Sequence, residues 1–152
     1  MIFCIISFIL EMLISNYIPI YTKLFFPLFT LISLIPLHTN IKNKKKYLIT
    51  SFILGFFYDV TYTNTIILNA IVFTLISYII INLNFKIFNK IISLCITTLL
   101  VIIIYQIITY LILLLTTYLV FEIHDLITSI TSSLLLNIIY SIILFYLNKY
   151  SK

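Results

Sequence analysis

A chain of 152 residues that is 63% hydrophobic and only 9% charged cannot clothe itself for water, because soluble domains carry about 25% charged residues. Its mean hydropathy of +1.25 points to lipid as the solvent. The net charge of +5 comes from nine lysines and no arginine; they stand at the ends of apolar segments, so membrane topology explains them better than nucleic-acid binding.

Only helices and closed barrels satisfy the backbone inside a bilayer. Barrel strands alternate apolar and polar residues over about ten positions. Runs such as LLVIIIYQIITYLILLL are apolar all round, so the expectation is an all-α integral membrane protein. A spanning helix takes roughly 20 residues, so six spans use up the chain as one membrane domain. The wealth of isoleucine, asparagine, tyrosine, phenylalanine and lysine reads as an AT-rich genome and says nothing about mechanism.

The first expected span covers residues 2–21. It lacks a basic leading region and a small-residue cleavage site, so it reads as an uncleaved span and not as a signal peptide. Glu11 lies near its middle and Cys4 near its start. The second, 24–40, holds Pro27 near one end and Pro36 near the other, which suits a short, kinked or tilted helix. His38 follows at the interface. Next comes the basic cluster Lys42, Lys44, Lys45 and Lys46, a topology signal able to attract anionic lipid headgroups.

The third and fourth spans, 47–62 and 65–85, meet at a short polar turn around Asn64. Asp59 and Asn69 stand five residues on either side of Asn64. In a helical hairpin turning there, both side chains fall at one depth and can bond across it. Asp59 can also cap the N–H groups that open the following helix. Gly55, the sole glycine, is expected to let a bulky residue such as Phe73 approach the opposite backbone, as small residues do at helix contacts in lipid.

The fifth span, 91–121, is long enough to tilt. An acidic loop holds Glu122, His124 and Asp125, and the sixth span is 126–147. With both termini in the cytoplasm, eight lysines lie inside and only Lys23 outside, as the positive-inside rule requires. Tyr17, Tyr21, Tyr47, Tyr62, Tyr118, Tyr146 and Tyr150 fall near segment ends, where interfacial aromatics belong.

Glu11, Asp59, Asn69, Gln106 and Asn137 are the polar side chains deep in spans. Each is either interhelical glue worth about 1 kcal/mol or part of a functional site. Glu11 is expected near mid-bilayer and Asp59 nearer the outside, a scatter that speaks against an ion pump. Glu122, His124 and Asp125 lack a fourth ligand or a spacing signature, and Cys4 and Cys95 have no partner pattern. No catalytic or phosphate-binding motif is present. The expectation is a non-enzyme without metal or cofactor.

The stretch GFFYDVTYTNTIILNAIVFTLISY, Gly55 to Tyr78, resembles the signature of the rod shape-determining MreD family. Gly55, Asp59, Leu68, Asn69, Ala70 and Tyr78 match, and Ser77 stands where glycine is common. Upstream, FFPLFTL resembles the proline–aspartate opening of the family's second helix, with Pro27 matching and Leu28 in place of the acid. Near the end, SSLLLNIIY resembles its closing helix through Asn137, and Tyr105–Gln106 stands near a position often read Tyr–Glu.

That resemblance implies a non-enzymatic subunit of the bacterial elongation machinery in the cytoplasmic membrane. It implies binding to MreC and work with MreB, RodA and a class B penicillin-binding protein in lateral peptidoglycan synthesis. It also implies likeness to the six-helix substrate-capture subunits of vitamin transporters, so the alternative is a small-molecule capture or transport subunit with an outward pocket.

Overall fold

A computed structural model describes residues 2–17, 27–63, 67–83, 90–116 and 123–150. The described residues form helices and no strand: α1 (Ile2–Tyr17), α2 (Phe29–Ile32), α3 (Leu34–Asn40), α4 (Lys44–Tyr62), α5 (Leu68–Asn82), α6 (Lys90–Leu115) and α7 (Ile123–Tyr150). Asn64, Glu122, Lys23, Lys86 and Lys152 lie outside the described residues.

Apolar side chains cover the outside of these helices, and the polar ones deep within the spans are buried among an apolar core. Ile5, Ile9, Phe57, Val60, Leu111, Leu135 and Ile139 are exposed, while Ser7, Glu11, Thr30, Ser51, Asp59, Asn69, Thr98 and Asn137 are buried. Water-soluble folds have the opposite distribution. By length and composition α6 and α7 can each cross a membrane, at roughly 39 and 42 Å against a hydrocarbon core of about 30 Å. α1, α4 and α5 are shorter.

α4 pairs closely with α5, and α6 with α7. Between them runs the broken helix α2–α3, touched by α1, α4, α5 and α7. Leu28, Phe29, Leu31, Ile32, Leu34 and Leu37 are all buried, and only the last turn of α3, with Thr39 and Asn40, is exposed. The broken helix is the axis around which the other helices pack.

The break at Ser33 has a covalent cause. Pro36 carries no N–H, so the Ile32 carbonyl lacks its usual donor four residues on. Pro36 itself sits in the first turn of α3, where proline is tolerated. Hydrogen bonds from Ser33 N to Phe29 O and from Leu37 N to Ser33 O run across the break.

Chain direction sorts the charges. Asn40 Nδ2 donates to Asn148 Oδ1 at 2.9 Å, which ties the end of α3 to the end of α7. Lys90 and Lys149 line a cleft beside Thr39 at that same end, and the exposed Lys42, Lys44, Lys45 and Lys46 follow α3 directly. The described lysines therefore gather at one end of the bundle. Asn43 caps α4 there through Lys45 N and Lys46 N. Asp59, near the far end of α4, and Asp125, in the first turn of α7, occupy the other end.

Candidate functional site

Two buried helix starts lack a capping side chain of their own. Leu28 precedes α2 and Ile67 precedes α5, and neither caps its helix. The first N–H groups of any helix need acceptors, and burial removes water as the source. In both cases an acid from another helix supplies them.

Asp59 on α4 serves α5. Its Oδ1 accepts from Asn69 N at 3.1 Å, Asn69 Nδ2 at 2.8 Å and Thr63 Oγ1 at 3.0 Å. Its Oδ2 accepts from Ala70 N at 3.1 Å. The bond across the hairpin and the cap on the next helix are thus both present. Negative charge at a helix start is also favoured by the helix dipole. Asn69 Oδ1 accepts from Tyr105 OH at 2.9 Å, which extends the chain of bonds to α6.

Gly55 sets the spacing of this hairpin, although not against the residue expected. A Cβ at Gly55 would strike Asn69 O and lie 2.6 Å from Ala70 Cα. The glycine therefore admits the backbone of Asn69 and Ala70, not the Phe73 ring. Ala70 is fully buried and is the small residue on the other side of that contact. Higher up the same pair, Ser77 Oγ donates to Ser51 Oγ at 2.7 Å.

Glu11 on α1 serves α2. Its Oε2 accepts from Thr30 N at 2.8 Å and its Oε1 from Tyr58 OH at 2.9 Å. Asn137 on α7 completes the cap, accepting from Leu28 N at 2.9 Å while its Nδ2 donates to Ser133 O. At the break, Tyr47 OH donates to Leu34 O at 3.0 Å. Ser7 and Tyr140 share a hydrogen bond of 2.7 Å, and Tyr140 stacks on Phe29 with ring centroids 4.0 Å apart.

The two acids are brought into one cluster by the tyrosines between them. Tyr58, bonded to Glu11, is the residue before Asp59. Tyr105, bonded to Asn69, lines the same cavity as Glu11. That cavity holds about 310 Å³ and is also lined by Pro27, Tyr58, Tyr62 and Thr63. Tyr62 OH donates to Phe8 O at 2.8 Å, and the Tyr58 and Tyr62 rings stack at 4.6 Å. The cavity lies toward the end of α4 away from the lysines.

Of the other residues singled out in the sequence, Tyr78 points outward and is exposed, apart from the cluster. Gln106 is buried beside Tyr105. His124 and Asp125 are exposed in the first turn of α7. Nothing in the sequence marked Tyr58 as the partner of Glu11 or Tyr105 as the partner of Asn69, because tyrosines are spread through the whole chain. Leu28 did carry a signal: a leucine where the resemblance leads one to expect an acid leaves a helix start that other residues must cap.

A family model described as rod shape-determining protein MreD matches residues 1–150. The chain belongs to the MreD family. The match takes in the hairpin, the broken helix and the closing helix together, so all residues of the cluster fall within it. No curated protein and no solved structure gives a match. The family is a rod-shape-determining, membrane-associated one, and the apolar exterior and the two long apolar helices of this chain accord with that character.

Proposed function

We propose that this MreD-family protein is a non-enzymatic, multi-pass subunit of the cell-elongation complex in the bacterial cytoplasmic membrane. It binds MreC and, with MreB, RodA and a class B penicillin-binding protein, supports lateral peptidoglycan synthesis. The family match over residues 1–150 carries this reading. The architecture supports it: the described mass is almost all apolar helix, so partners meet it within the bilayer or at short connections.

The lysine distribution supports six crossings with both termini in the cytoplasm. The buried polar bonds support a passive role, since they hold helices to one another and spend their donors and acceptors in doing so. Gly55, Asp59, Asn69, Ala70 and Asn137 then act by fixing the shape that a partner reads, Pro27 closes one wall of the cavity, and the outward Tyr78 is available for contact.

Depleting the protein from a rod-shaped host should round the cells, and MreC should co-purify with it from solubilised membranes. Unchanged morphology together with no recovery of MreC would overturn the proposal. The cavity beside Glu11 favours one second reading, a small-molecule capture subunit. A ligand screen that found submicromolar binding lost in Glu11→Gln would promote that reading over the first.

A further inference from the structure

A second cavity lies away from the Glu11–Asp59 cluster, at the basic end. It is a half-open cleft of about 850 Å³ between α3, α6 and α7, within the range of about 300–1,000 Å³ typical of small-molecule sites. Lys90 and Lys149 line it and are exposed. Among the described residues its lining contains no acid.

Several polar side chains inside the cleft are already bonded within the protein. Thr97 Oγ1 donates to Ser93 O and Ser141 Oγ to Ile138 O, each within its own helix. Thr39 Oγ1 donates to Pro36 O and accepts from Asn148 Nδ2, whose amide oxygen is taken by Asn40. These donors are spent. What remains for a ligand is an apolar wall of Ile35, Leu94 and Phe145, the hydroxyls of Ser93 and Tyr146, and two ammonium groups. The outward faces flanking it, with Ile91, Ile92, Ile143 and Leu147 exposed, form a surface continuous with lipid tails.

We propose that this cleft binds one anionic phospholipid, its phosphate held by Lys90 and Lys149 and an acyl chain laid against Ile35, Leu94 and Phe145. Charge complementarity selects the headgroup, and the absence of nearby acids leaves the two lysines uncompensated. A basic pocket between helices at the cytoplasmic face is a recurrent setting for such headgroups. A free phosphate would leave the apolar wall of the cleft unfilled. This inference rests on membrane embedding and not on the elongation role, so MreC binding and lipid retention can fail separately.

The test uses the full-length protein, delipidated in neutral detergent and titrated with phosphatidylglycerol or phosphatidylcholine under native mass spectrometry. One retained phosphatidylglycerol is expected, with phosphatidylcholine retained far less. Lys90→Gln/Lys149→Gln should weaken retention roughly 30-fold, the equivalent of about 1 kcal/mol per lysine. Ser93→Trp, which fills the cleft and keeps both lysines, should abolish it. The proposal is overturned if either variant binds like the parent or both lipids bind alike. It is also overturned if inorganic phosphate at equal concentration displaces the lipid, or if neutralising Lys42, Lys44, Lys45 and Lys46 removes the adduct instead.

Discussion

Asp59 reaches the start of α5 from ten residues away, whereas Glu11 and Asn137 reach the start of α2 from 19 and 109 residues away. Both regions meet the same physical demand, acceptors for buried N–H groups where water is absent. The hairpin meets it within two successive helices. The broken helix meets it only when α1 and α7 have both arrived. The hairpin is therefore a local unit, and the α2–α3 axis is a property of the complete fold.

That contrast can be broken or sharpened by substitution, with thermal unfolding in detergent as the measurement. The largest effect is expected at Gly55. Gly55→Leu forces a side chain into the backbone of Asn69 and Ala70, and neither can yield without separating α4 from α5, a loss of at least about 3 kcal/mol. A variant with the parental Tm would show that the hairpin is not so closely packed.

Next come the residues that cap α2. Glu11→Ala and Asn137→Ala should each cost about 2–3 kcal/mol, because each leaves buried N–H groups without an acceptor. Together they should cost less than their sum, since both act on one helix start, while Asn137→Ala combined with Asp59→Ala should be close to additive. Additivity in the first pair would mean that the two caps do not share an element.

A smaller effect separates charge from shape in the hairpin. Asp59→Asn keeps one acceptor oxygen but puts an amide group against Ala70 N, so a loss of about 1–2 kcal/mol is expected. No loss would show that one acceptor suffices at that helix start. The smallest effects belong to the tyrosine hydroxyls: Tyr105→Phe and Tyr47→Phe should each cost about 1 kcal/mol. Tyr105→Phe should lose its effect in an Asn69→Ala background. Tyr47→Phe should keep its own there.

Asp59 and Asn69 could be paired from the sequence because a tight turn makes spacing about Asn64 a measure of depth. Gly55 could be recognised as a close-contact position, but its partner could not. The offset of the two helices along their axes decides whether Ala70 or Phe73 meets it, and a shift of three residues is less than one turn. Pro36 announced an irregular second helix, and the missing N–H explains a break three residues upstream. Glu11 stood out as an acid in an apolar run, yet nothing near it in the chain pointed to Thr30 N or Tyr58 OH.

Composition pointed to lipid as the solvent, and the lack of alternation in the apolar runs pointed to helices, because an unpaired backbone in hydrocarbon costs more than any local propensity. The order of short motifs was enough to suggest the family. Only the tertiary structure decided that a broken helix forms the axis, that Glu11 caps a helix other than its own, and that two lysines from opposite ends of adjacent helices share one cleft. Those arrangements depend on the rotation and offset of packed helices, which the many isoleucines, leucines and phenylalanines leave open because they suit almost every face.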